Sequence, residues 1–130
     1  MRRRRKSVAV VAVAAMVLSL SVVLAGEAVA HGSCFAYAHT PYKESGRVKS
    51  FGYISCGDSH VIDVTVRLQK RQSDGSWNNV DTASPSGFGT LVQGNVGVDC
   101  SNGTYRTVTT GTAGSHPSMR DESANNSITC

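Results

Sequence analysis

The sequence predicts an all-β protein, a small antiparallel immunoglobulin-like β-sandwich with two disulfides, preceded by a cleaved signal peptide. Three observations carry this. His60-Val-Ile-Asp-Val-Thr-Val-Arg-Leu-Gln69 alternates, with Ile62, Val64, Val66 and Leu68 on one side and Asp63, Thr65, Arg67 and Gln69 on the other, the two-residue period of a strand with one buried face. Further strand and turn signals recur at the short spacing of an all-β domain. Beyond the first thirty residues no stretch shows the helical period, and four cysteines, Cys34, Cys56, Cys100 and Cys130, are spread along the chain.

The chain begins with five consecutive positive charges, Arg2 to Lys6, then an apolar run over residues 8–25 and Ala28-Val29-Ala30. Basic, apolar and small-x-small segments in that order predict a secretory signal over residues 1–30, cut after Ala30, with a mature single domain over 31–130. An uncleaved anchor is the rival, since the apolar run is just long enough to cross a bilayer; the Ala-x-Ala site favours cleavage and no stable membrane insertion afterwards. Removal of the leader changes the charge balance. Of the 13 Lys and Arg and 9 Asp and Glu, the leader holds five positives and Glu27, leaving 13 − 5 = 8 against 9 − 1 = 8. A mature domain with no net charge and no basic stripe has no electrostatic footprint for nucleic acid.

In the mature part, Lys43-Glu44-Ser45-Gly46 reads as a turn between two strands, the second running from Arg47 to Cys56. Positions summing to ninety then face each other, which places Cys34 opposite Cys56, Tyr37 opposite Tyr53 and His39 opposite Phe51. A Cys34–Cys56 bridge follows, and Cys100–Cys130 by elimination, suited to a secreted chain of this size. No Cys-x-x-Cys spacing supports a zinc site. After the central strand, Ser73-Asp74-Gly75-Ser76 reads as a hairpin turn and residues 77–83 as its return strand. Ser84-Pro85-Ser86-Gly87-Phe88-Gly89 reads as a loop outside any ladder, because Pro and Gly weaken strands. Val96, Val98 and Cys100 alternate up to Asn102-Gly103, a favoured hairpin dipeptide, from which residues 104–110 return with Tyr105 facing Cys100. Residues 113–126 read as a loop, and 127–130 as a short strand or pinned tail. The expected core is Ile54, Ile62, Val64, Val66, Leu68, Val96 and Val98, closed by Trp77, in six or seven strands.

The aromatic residues of the first hairpin, Phe35, Tyr37, His39, Phe51 and Tyr53, fall on one face. They are either the buried side of that hairpin, stabilising it by cross-strand pairing, or an exposed face for a partner. Catalytic readings are weaker. Adjacent Asp58, Ser59 and His60 on an extended chain are expected not to converge as a triad, Asp121-Glu122 reads as a solvated acidic pair, and no Gly-x-Ser-x-Gly, His-Glu-x-x-His or phosphate-binding loop occurs. A non-enzymatic protein needing no cofactor is the expectation. The alternative is copper. Cleavage would give His31 a free amino group, and His31-Gly32 resembles the start of the lytic polysaccharide monooxygenases, whose histidine brace adds a second imidazole, here His39, His60 or His116. A secreted inhibitor or antimicrobial protein is the third class.

Residues 47–57, 64–71, Trp77 and the run Cys100-Ser-Asn-Gly-Thr-Tyr-Arg-Thr107 give a layout that resembles the small secreted β-sandwich proteins of Streptomyces and related actinobacteria. Among these it resembles the small B subunit of the umbrella toxin particles. The resemblance implies a non-catalytic extracellular adaptor, joining protein partners in an antibacterial toxin complex, and assigns no interface residue. A second implication comes from the free amino-terminal edge: the stretch 31–40 is expected to join a partner by strand addition, led by Phe35 and Tyr37.

Overall fold

The structure, a computed structural model, describes residues 33–130; the expected leader and His31 lie outside the described residues. Among the described residues, eight strands run in the order β1 (Cys34–Ala38), β2 (Tyr42–Glu44), β3 (Arg47–Arg71), β4 (Trp77–Ala83), β5 (Ser86–Asp99), β6 (Gly103–Ala113), β7 (Met119–Glu122) and β8 (Asn126–Ile128). All pairings are antiparallel.

The fold is organised around β3, where the two strands expected at 47–56 and 60–69 are one bent strand of 25 residues. Its first half pairs with β1 and β2 on one side and with the end of β5 on the other. Its second half pairs with β6 on one side, and with β4 and the start of β5 on the other. The register slips between Ser55 and His60, and such an irregularity lets a strand bend sharply. The sheet therefore curls over itself into two layers, an antiparallel immunoglobulin-like sandwich. Val48, Ile54 and Cys56 from the first half of β3 meet Ile62, Val64, Val66 and Leu68 from the second, together with Val96, Tyr105, Ala113 and Ile128. The alternation that predicts the central strand also predicts its buried side. Cys34 is bonded to Cys56 and Cys100 to Cys130, bridges of a kind that contribute about 2–4 kcal/mol each.

Several local expectations are corrected. Residues 84–89 are not a loop outside the ladder, because β5 starts at Ser86 and pairs Ser86 with Asp63 and Gly87 with Ile62. Pro85 sits just ahead of the strand, where its missing N–H costs no ladder bond, and its carbonyl accepts from the Val64 N–H at 3.1 Å. Asn102-Gly103 does not join a hairpin. β5 leaves the first half of β3 and β6 enters beside the second, because that crossing buries Tyr105, Thr107, Val108 and Thr109 in the core. Tyr105 faces Lys70 and Asn126 rather than Cys100. Its ring is 1% exposed and its hydroxyl donates to the Ser101 carbonyl at 2.7 Å, the device of the tyrosine corner in immunoglobulin-type sandwiches. Trp77 does not close the core. It lies half-buried on the edge strand β4 beneath the Arg106 guanidinium, 4.3 Å from its ring centroid, a cation–π contact. Residues 113–126 contain β7, a four-residue strand on β6, invisible in sequence because Met-Arg-Asp-Glu has no apolar alternation.

Candidate functional site

The alternation of β3 decides where the aromatic residues go. Val48, Ser50, Ile54 and Cys56 point inward and are buried, so Lys49, Phe51, Tyr53 and Ser55 point outward. β1 pairs Tyr37 with Tyr53 and Phe35 with Ser55. Phe35, Tyr37, His39, Phe51 and Tyr53 thus form the outer face of the first layer, not its core. They make a ladder: Tyr37 stacks on Tyr53 with centroids 4.9 Å apart, His39 stacks on Phe51 at 4.3 Å, and Phe35 meets the edge of Tyr53 at 6.3 Å. Tyr42 of β2 extends it, its ring edge-on to His39 at 5.7 Å.

A buried polar chain fixes the corner under the ladder. Thr107 Oγ1 donates to Ser50 Oγ, and Ser50 Oγ donates to the His39 carbonyl, both at 2.7 Å. The His39 N–H donates to the Phe51 carbonyl at 2.9 Å, and the Tyr37 hydroxyl meets His39 Nδ1 at 3.1 Å. The rings are therefore held in place from beneath and from the side.

The face continues beyond the sequence-predicted set. Leu91 of β5 pairs with Ser55, which pairs with Phe35; Phe35 is 55% and Leu91 54% exposed. Further along, Phe88 pairs with Val61, and they are 76% and 59% exposed. Phe88 escapes sequence reasoning because its segment reads as loop; Val61 lies on the polar side of the central strand's alternation, and Leu91 falls between the segments whose pattern is legible. Beside Tyr42 and Lys49 opens a cleft of about 430 Å³ with Arg47, Asp81 and Asn95 on its walls. Its cations are already paired, Arg47 with Asp99 at 3.0 Å and Lys49 with Glu44 at 2.9 Å, so the cleft is a polar margin of the face rather than an apolar ligand pocket.

The amino-terminal edge is not wholly open. The Ala38 N–H, which points away from β3, donates to Asp121 Oδ2 of β7 at 2.8 Å, so part of the edge expected to recruit a strand is capped within the chain. Asp121 is thereby a structural acceptor rather than one half of a solvated pair. Its neighbour Glu122 is held below the ordinary carboxylate range, first by a hydrogen bond from Arg120 and then by the charge of Arg106.

The histidines considered for copper separate into two places. His39 belongs to the aromatic ladder, whereas His60 and His116 stand edge to face with centroids 4.9 Å apart. His31 lies outside the described residues. Asp58 and His60 do meet, Nε2 to Oδ1 at 2.8 Å, because residues two apart on an extended segment share a side; Ser59 points the other way, so no triad forms.

No family model and no curated protein matches the chain. Among solved structures, the solution structure of CsgH from R. palustris is similar at 20% identity, over 68% of this chain and 89% of that one, with a TM-score of 0.42. The sporulation control protein Spo0M from Bacillus subtilis is similar at 11% identity, over 75% of this chain and 48% of that one, with a TM-score of 0.36. At these values the likeness bears on neither function nor partners.

Proposed function

We propose that the protein is a secreted, non-enzymatic interaction module that binds a protein partner through the outer face of β1 and β3, and that it serves as an adaptor within an extracellular antibacterial toxin complex. The observation that carries this is the stacked ladder of Phe35, Tyr37, His39, Phe51 and Tyr53 on the outside of the sandwich. The core cluster forms without these side chains, and a contiguous aromatic face on the outside of a small domain is the kind of surface that meets a partner. Held by their neighbours, they lose little side-chain freedom on association, and aromatic residues dominate the centres of protein interfaces. Two disulfides in a domain of about 100 residues suit the extracellular or periplasmic space.

Affinity purification of the tagged mature protein from the medium of the producing organism tests the reading. A stoichiometric protein partner retained by the wild type and lost from Phe35→Ser/Tyr53→Ser supports it. Recovery of the domain alone, or of a protease or glycosidase whose activity it blocks, contradicts it and favours the inhibitor class.

A further inference from the structure

We propose that the corner where β1 begins, β3 bends and the turn between β6 and β7 closes is a thiol-gated site for a zinc-class divalent cation, with Cys34, Cys56, His60 and His116 as donors. One donor atom from each of Cys34, His60 and His116 lies within 4.8 Å of the other two, and Cys56 Sγ is bonded to Cys34 Sγ. Three backbone bonds bring these segments together. The Gly57 N–H donates to the Ser33 carbonyl at 2.9 Å, the Gly114 N–H to the Val61 carbonyl at 2.9 Å, and the His116 N–H to the Ala113 carbonyl at 3.0 Å.

The orientation of His60 is that of a ligand. Its Nε2 sits 2.8 Å from Asp58 Oδ1, leaving Nδ1 toward the turn that carries His116; a Cβ on Gly114 would stand only 2.8 Å from that Nδ1. A carboxylate on the far nitrogen of an imidazole fixes its tautomer and the orientation of its ring as a ligand. Gly114, at φ +53°, keeps the approach clear.

With the bridge intact, neither sulfur is a thiolate and the site is closed to zinc. A dithiol reductant opens it. Two electrons and two protons cleave the Cys34–Cys56 bond to two thiols while the dithiol becomes a disulfide. The cation then takes both sulfurs as thiolates, releasing two protons to solvent, and takes the two imidazoles as neutral donors, a Cys2His2 set. Tetrahedral zinc donors stand roughly 3.3–3.8 Å apart, so rotations that move Cys34, His60 and His116 by about an ångström bring those three together, and Cys56 Sγ, released from Cys34, must turn in as the fourth. The ion would clamp β1 to the bend of β3 in place of the bridge.

Cobalt(II), whose spectrum reports tetrahedral thiolate ligation, is titrated into the mature protein with and without a phosphine reductant. The reduced protein is expected to bind one equivalent with thiolate charge-transfer and tetrahedral ligand-field bands, displaced by zinc, and the oxidised protein to show neither. Cys34→Ser and His60→Gln/His116→Gln are expected to lose that spectrum, and Asp58→Asn to weaken binding about 10–100-fold. The proposal is overturned if the reduced wild type takes up no cobalt, if the two-histidine variant keeps the same spectrum and affinity, or if the reduced chain loses its β-sheet circular dichroism even with zinc present.

Discussion

Tyr37 and Tyr53 face each other across the β1–β3 ladder and stack with their ring centroids 4.9 Å apart and planes 22° from parallel. They do so on the outer side of β3, while Gly52 and Ile54 on either side of Tyr53 turn inward. The stack is an energetic unit separate from the core.

A double-mutant cycle on Tyr37→Ala and Tyr53→Ala, read by urea unfolding, is expected to give a coupling of about 0.5–1.5 kcal/mol. Ile54→Ala, one residue away but fully buried, is expected to cost about 2–5 kcal/mol. A Tyr53→Ala loss as large as that of Ile54→Ala would place the ladder in the core.

Gly52 and Thr109 lie against each other between the two layers. A Cβ on Gly52 would strike Thr109 Oγ1 and the Tyr37 carbonyl, and Thr109 Oγ1 is buried without a hydrogen-bond partner. Gly52→Ala is therefore expected to destabilise, whereas Thr109→Val, which removes an unsatisfied hydroxyl of similar shape, is expected to leave stability unchanged or raise it by up to about 1–3 kcal/mol. Thermal unfolding of both variants checks the pair, and a destabilised Thr109→Val would show that the hydroxyl has a partner.

Tyr105→Phe removes the bond to the Ser101 carbonyl while keeping the buried ring. A loss of about 0.5–1.5 kcal/mol is expected, near 4–8 °C in Tm per kcal/mol for a domain of this size. An unchanged Tm would mean that the hydroxyl contributes nothing to the β5–β6 crossing.

These sites differ in how far the sequence announces them. The alternation from Ile62 to Leu68 predicts the buried face of β3, and the turn near Ser45 predicts the register that sets Cys34 against Cys56 and Tyr37 against Tyr53, because period and turn position are local properties. Whether the aromatic side of that hairpin faces in or out is not local. It depends on the neighbours that β3 gains from β5, which leave Val48, Ile54 and Cys56 buried and Phe51 and Tyr53 outside. The Asn102-Gly103 signal misleads for the same reason: burial of Tyr105 and Val108 against the second half of β3 outweighs the local turn preference. The meeting of His60 and His116 depends on the bend of β3 and on the Gly114 turn, neither of which has a sequence pattern.

Glu122 gives a pH-dependent prediction. Arg120 Nη2 bonds one carboxylate oxygen at 2.6 Å and Arg106 Nη1 the other at 3.1 Å, and its pKa is lowered, chiefly by the Arg120 hydrogen bond and then by the Arg106 charge. A carboxylate depressed on folding contributes stability above its unfolded value and loses it as pH falls through the lower folded value. NMR titration should therefore find Glu122 below the ordinary glutamate range, and Arg120→Ala should move it upward. A Glu122 titration unaltered by that substitution would show that the pair does not hold in solution; the exposed site makes any effect on stability small.

The central claim is that the outer aromatic face binds a protein partner. Its most direct measurement is the affinity of the partner recovered from the culture medium for four folded, disulfide-intact proteins: the wild type, Phe35→Ser, Tyr53→Ser, and a control, Asn78→Ala, on the exposed part of β4. Removal of a central aromatic anchor costs about 2 kcal/mol or more, so a loss of roughly thirtyfold or greater is expected for Tyr53→Ser, a substantial loss for Phe35→Ser, and none for Asn78→Ala. Affinity unchanged by both aromatic substitutions would contradict the account.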